Sequence, residues 1–295
     1  MNLPRIVTAE MLDVLPPGDP AARRSRRDLR RVHRVMRTRA VLRRALRGWR
    51  FERERPAPLR VLELGAGDGT LLLGVAQALA HEWPRVELVL LDRQRVVEPA
   101  TLERYAALGW QARSETADVL DWAAQRGRGG CWDLIVANLF IHHFEGTALA
   151  ALLGAVAART DRFLACEPRR ARLALGASHL VGALGANAVT REDAVLSVHA
   201  GFRGDELTRL WPGRADEWQV REYRAGLFSH CLRADRRRTD FDAQLPGSSS
   251  NSSTWNSASP SSPPSSAPAS DERGTKTAGT RPSSARPRRG PSSSA

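Results

Sequence analysis

The chain has 295 residues, a formal net charge of +13, 42% hydrophobic residues and three cysteines. That length allows one large domain or two small ones with a substantial core. Cys131, Cys166 and Cys231 are far apart and form no CxxC pair, which argues against a disulfide framework and structural zinc and fits a reducing cytoplasm. No stretch approaches the length of a membrane span. So strong a basic excess ordinarily points to a polyanionic partner. Here Lys276 is the only lysine and alanine is abundant, a pattern of coding bias in a GC-rich genome, so nucleic acid is disfavoured as a partner.

In chain order, Met1–Asp13 is amphipathic and lacks the basic start and apolar run of a signal peptide. Pro16-Pro17-Gly18-Asp19-Pro20 is a breaker. Residues 21–50 are dense in arginine, with Leu29, Val32, Met36, Leu42, Leu46 and Trp49 among them. Several of these recur at three- and four-residue steps, predicting a helix or helix pair with one apolar stripe. Such a stripe must be buried, so residues 1–55 are expected to form a helical lid. Within residues 21–50 Asp28 is nearly the only acid, so contact with an anionic membrane surface or nucleic acid stays open as an alternative.

Pro56 and Pro58 end that segment, and a second region spans 56–235. Its short apolar runs, Leu59–Leu64, Val86–Leu91, Leu134–Ala137 and Arg162–Ala165, read as buried parallel strands. Thr70–His81 has the spacing of a helix between the first two. Strand, helix, strand is a βαβ unit, and its repetition predicts a doubly wound α/β sheet. Trp218–Leu232 reads as strand, turn, strand around Ala225-Gly226, suited to an antiparallel hairpin at the sheet edge. Residues 236–295, serine- and proline-rich above all from 245, hold too little apolar surface to offset ordering and are expected to be a disordered tail.

The segment Val61-Leu62-Glu63-Leu64-Gly65-Ala66-Gly67-Asp68-Gly69-Thr70 ends a strand and begins a helix. Its glycines remove side chains where the chain turns, so backbone can approach a ligand. The spacing is neither that of the dinucleotide fingerprint nor that of a Walker loop. Asp92 closes the next strand, where a carboxylate can accept both hydroxyls of a ribose; the alternative is a surface acid or helix cap.

Glu63 to Gly69 resembles motif I of the class I methyltransferases that depend on S-adenosylmethionine (SAM). The resemblance covers about residues 59–235 and implies a Rossmann-like, mostly parallel seven-stranded sheet with SAM as cofactor. It implies that Glu63, Gly65, Ala66, Gly67 and Gly69 surround the methionine part, that Asp92 holds the ribose, that Asp118 and Val119 flank the adenine, and that Asn138 lies near the methyl group. More narrowly, the chain resembles small-molecule methyltransferases of bacterial secondary metabolism, some of which accompany type III polyketide synthases and methylate phenols. The segments that carry this are the arginine-rich N-terminal helix, Asn138–Phe144, Glu167-Pro168-Arg169-Arg170 and Asp193–Phe202. The implied reaction moves a methyl group to oxygen of a phenolic or polyketide-like small molecule. Carbon methylation of the quinone-biosynthesis type is the nearest rival, and an RNA-binding or RNA-modifying protein another. The [DN]PP[YF] tetrad of amino-base methylation is absent, with Ala137-Asn138-Leu139-Phe140 in its place.

His142 and His143 follow the fourth strand, at the carboxyl edge where open α/β sheets bind ligands. Either suits a general base for a hydroxyl acceptor, and capping or packing is the alternative role. No carboxylate or further histidine follows at helical ligand spacing, so no metal is expected. Glu167, just after the fifth strand, is placed to contact acceptor or base, or else to pair with Arg169 or Arg170. His179, Asn187, Arg191, Asp193 and His199 fall in the long connection after it, where acceptor pockets are commonly shaped.

Overall fold

The computed structural model describes residues 3–125 and 131–237. The chain divides into two units, Met1–Gln244 and Leu245–Ala295. The tail expected over 236–295 lies outside the described residues from 238 onward.

Seven strands form one sheet: β1 (Leu59–Leu64), β2 (Val86–Asp92), β3 (Trp110–Thr116), β4 (Leu134–Asn138), β5 (Arg162–Pro168), β6 (Trp218–Ala225) and β7 (Ser229–Arg236). Their order is β3-β2-β1-β4-β5-β7-β6. The first five pair in parallel, and the β6–β7 hairpin joins β5 antiparallel. The mostly parallel, doubly wound α/β sheet and the hairpin at one edge are as the sequence reads. The run β3, Trp-Gln-Ala-Arg-Ser-Glu-Thr, is not an apolar one. It is an edge strand with most side chains at least partly in solvent, so it needs no hydrophobic face in its own sequence.

Ten α-helices accompany the sheet among the described residues: α1 (Met11–Val14), α2 (Pro20–Val35), α3 (Thr38–Arg47), α4 (Thr70–Leu79), α5 (Pro99–Ala106), α6 (Val119–Ala124), α7 (Gly146–Arg159), α8 (Arg172–His179), α9 (Ala188–Ala200) and α10 (Glu206–Leu210). Asp19 starts α2 by accepting the N–H groups of Ala21 and Ala22, with Pro20 at the first helical position; such a cap is worth about 1 kcal/mol.

Alternation along the strands builds two cores. Val61, Leu88, Leu90, Leu134, Val136 and Leu164 face one side, where Leu42, Leu46 and Trp49 of the α3 region and Leu72, Leu73 and Ala76 of α4 cover them. Leu62, Val89, Leu91, Ile135, Ala137 and Phe163 face the other, under Leu149, Leu152, Leu153 and Val156 of α7. Side chains of successive strand residues point to opposite faces, so uninterrupted apolar runs are what two covered faces require. The N-terminal stripe divides in the same way. Leu42 and Leu46 join the sheet core, whereas Leu29, Val32 and Met36 line a cavity. Cys166 and Cys231, remote in sequence, are Cα partners across β5 and β7 and are free thiols.

Candidate active site

The cavity lies at the carboxyl ends of the parallel strands and has a volume of about 870 Å³, within the range of small-molecule sites. Of the residues expected around a cofactor, Glu63, Gly65, Ala66, Gly67, Asp92, Asp118, Val119 and Asn138 line it.

The turn after β1 carries three positive φ angles, +65° at Gly65, +56° at Gly67 and +70° at Gly69. Around Gly67 a Cβ would meet nothing within 4 Å, so bare backbone faces open space. A Cβ on Gly65 would come within 2.1 Å of the Phe140 ring. Gly65→Ala therefore displaces Phe140, in addition to about 1–2 kcal/mol for the left-handed backbone. The expected result is a lower Tm together with loss of ligand binding in the cavity. A variant with wild-type melting and binding would contradict this packing. Gly69 departs from its expected role. A Cβ there would meet Leu90 at 3.0 Å, and its carbonyl accepts from the buried Tyr105 hydroxyl at 2.9 Å. It sets helix against sheet and does not line the cavity.

Three carboxylates converge on the turn. Asp92 accepts the N–H of Gly67 and of Gln94, each at 2.8 Å. Burial nevertheless raises its pKa, against those two bonds. Asp68 accepts from the Thr70 N–H and hydroxyl and pairs with Arg30 at 2.9 Å. Glu63 is only 3% exposed, and its Oε2 has no hydrogen-bond partner. Burial, then the charges of Asp68 and Asp92, push its pKa well up. Asp118 caps α6 by accepting the Leu120 N–H at 2.7 Å. Asn138 is buried with its Oδ1 unpartnered. Leu139 next to it holds φ +50°, a strained conformation for a side chain of its kind and one that clusters at functional sites.

The structure separates the two histidines. His142 is 2% exposed, with Nδ1 2.7 Å from Glu167 and Nε2 3.4 Å from Glu10. Burial alone would lower its pKa, but the hydrogen bonds and charges of Glu10 and Glu167 push it up to about 9. His142 is thus a fixed cation at neutral pH. His143 has its pKa lowered, first by burial and then by the charge of His142, against the pull of Glu10 and Asp13. It lines the cavity with its Nδ1 3.3 Å from Asp13. Glu167 was expected to touch acceptor or base, or to pair with Arg169 or Arg170. It is fully buried and accepts the N–H groups of Phe140, Ile141 and His142 as well as bonding His142 Nδ1. It shapes the turn carrying the histidines and is not among the residues lining the cavity. Arg170 pairs with Glu206 instead.

Glu10 and Asp13 were not among the sequence candidates. The N-terminal segment straps them into place. Arg5 donates to the carbonyls of Ala200, Phe144 and His142 and stacks on Phe202, and Asp193 accepts the N–H groups of Met11 and Leu12. Among the five residues named in the connection after β5, Asp193 alone lines the cavity; Asn187 caps α9, and His179 and Arg191 are exposed. Glu10, His142 and His143 bring one ligand atom each within 4.8 Å of one another, a grouping that could hold a metal ion. His142 Nδ1 bonds Glu167, and its Nε2 faces Glu10, itself one of the three groups.

The strand order, the glycine turn after β1 and the acid closing β2 place the cavity at the carboxyl edge of a doubly wound α/β sheet, where such sheets bind ligands. No protein-family model matches the sequence, and no curated protein matches it either. Among solved structures, the chain is similar to the plantazolicin methyltransferase in complex with SAH, at 14% identity over 75% of this chain and 92% of that one, with a TM-score of 0.52. It is similar to the same enzyme with SAH and a pentazolic desmethylplantazolicin analogue, at 13% identity over 74% and 92%, with a TM-score of 0.52. The fold is therefore that of a class I methyltransferase. No helix among the described residues is long and apolar enough to cross a membrane.

Proposed function

We propose that the protein is a SAM-dependent methyltransferase acting on oxygen of a phenolic or polyketide-like small molecule. The observation that carries the cofactor reading is Glu63: a buried carboxyl group with an unpartnered oxygen, beside two further acids, under a turn of bare backbone. Glu63 itself has no cationic partner among the described residues, and its surroundings favour one, as a sulfonium or an α-ammonium group would supply. The similar structures were solved with SAH bound, which supports the same reading.

When bound, SAM supplies an electrophilic methyl carbon on a positively charged sulfur. Glu63 and the Gly65–Gly67 backbone hold the charged end. Asp92, with acceptor capacity beyond its two backbone bonds, takes the ribose, and Asp118 and Val119 flank the base. Asn138 presents its unpartnered Oδ1 near the acceptor. His143, neutral at pH 7, removes the acceptor hydroxyl proton, and Asp13 steadies the imidazolium that forms. Leu29 and Val32 of α2, with Met36 at its C-terminal cap, close the cavity as an apolar lid and exclude water.

Calorimetry with SAM and SAH, followed by mass spectrometry of small-molecule extracts incubated with methyl-labelled SAM, tests this. One cofactor per chain and a product heavier by one labelled methyl on oxygen are expected. No heat with either nucleoside would end the cofactor reading, and a label on carbon would replace the acceptor reading.

A further inference from the structure

A second recess, with a volume of about 500 Å³, is lined by residues of α2, of α3 and of the corner between them. Its lining is rich in arginine: the exposed Arg27, Arg30, Arg31, Arg34, Arg37 and Arg39 border it, together with Ala40 and His33, which burial keeps neutral by lowering its pKa to about 4. Few acids offset them. Arg30 pairs with Asp68 and Arg31 with Asp28. Arg27, Arg34 and Arg37 have neither an ion pair nor a side-chain hydrogen bond among the described residues. An ordinary solvated helix face spreads its charge over a convex surface. Here like charges are gathered in a concavity, which focuses their field and costs stability through mutual repulsion.

Two further observations point to a ligand. The corner that brings α2 and α3 together places Arg37 at φ +57°, in the left-handed region that side chains avoid. Arg30, His33 and Arg39 line both the recess and the main cavity, so the two share a wall. His33 contributes a buried Nδ1 with no partner at that wall.

We infer that the arginine recess binds the phosphate group of a small ligand whose uncharged remainder extends into the main cavity. Guanidinium forks match phosphate oxygens two at a time, and several are needed to neutralise a dianion. A carboxylate would leave most of these arginines without a partner. Under the methyl-transfer reading, on which this identification rests, that ligand is the acceptor, delivered to His143 with a phosphate-bearing tail held at the rim.

Calorimetry at low salt with inorganic phosphate and with 1-naphthyl phosphate tests the inference on the full chain. The expected result is saturable binding of both, with the naphthyl ester tighter by about tenfold or more because its ring enters the apolar cavity. The double variant R27Q/R34Q changes two unpaired positions on the exposed side of α2, so folding should be unaffected. It should weaken both probes by about tenfold or more and leave SAH affinity unchanged. R104Q, on α5, is the control and should change nothing. Absence of phosphate binding, or equal binding by R27Q/R34Q, would overturn the site. Equal affinity for the two probes would overturn the link to the cavity. A short RNA bound tightly and weakened alike by R27Q/R34Q and R104Q would also overturn the inference, by showing a diffuse polyanion surface. If naphthyl phosphate binds as expected and SAH does not bind at all, the methyl-transfer reading fails while the phosphate site stands.

Discussion

Glu63→Gln is expected to make the protein more stable and less able to bind its cofactor. In the apo fold, burial and the neighbouring charges of Asp68 and Asp92 raise the pKa of this carboxyl group, so its neutral form is the one the fold favours. That contribution to stability is fully present below the unfolded carboxylate range and is lost as pH rises through the raised folded pKa. Glutamine has nearly the same shape and never ionises. Glu63→Gln should therefore melt higher than the wild type at pH 8, with the difference shrinking towards pH 5. SAM needs the ionised group. Losing one partner of a buried charge pair costs about 2 kcal/mol or more, or about thirtyfold in affinity. Wild-type SAM affinity should rise with pH through the same window, and the variant should show no such rise. Two titrations by calorimetry and two melting curves decide it. Equal SAM affinity in both proteins at pH 8 would remove Glu63 from the binding site.

The second large effect is expected at His143. Removing a general base costs typically 10²–10⁴-fold in rate, so His143→Ala should lose kcat on this scale while binding SAH normally. Because its pKa is lowered by burial and by the His142 cation, the free base persists to lower pH than for an ordinary histidine. The acid limb of the wild-type rate profile should fall below about 6.5. His142→Ala acts differently. It leaves Glu10 and Glu167 buried without their cation, so it should lower Tm as well as rate. The assignment of the base would be reversed if His143→Ala kept most of its activity or if the acid limb lay above the ordinary histidine value.

Most of the frame was legible along the chain because it rests on local rules. Strands covered on both faces must be continuous apolar runs, so β1, β2, β4 and β5 stand out. β3 does not, since an edge strand exposes much of its length and Trp110 supplies its main anchor. The paired role of the arginine-rich segment was not legible either. One stripe on paper becomes two destinations, α3 against the sheet and α2 over the cavity, because the corner at Arg37 redirects the chain.

By itself, the sequence determined where backbone without side chains would face the carboxyl edge of the sheet, beside an acid. Only glycine adopts the backbone angles of that turn without strain, and an acid at the end of the following strand is placed by chain geometry alone. Tertiary structure alone decided what the two adjacent histidines do. Glu10 meets His142 across 132 positions and Glu167 meets it across 25. Protonation depends on which charges lie within a few ångströms, and that is a property of packing, which adjacency in the chain does not encode.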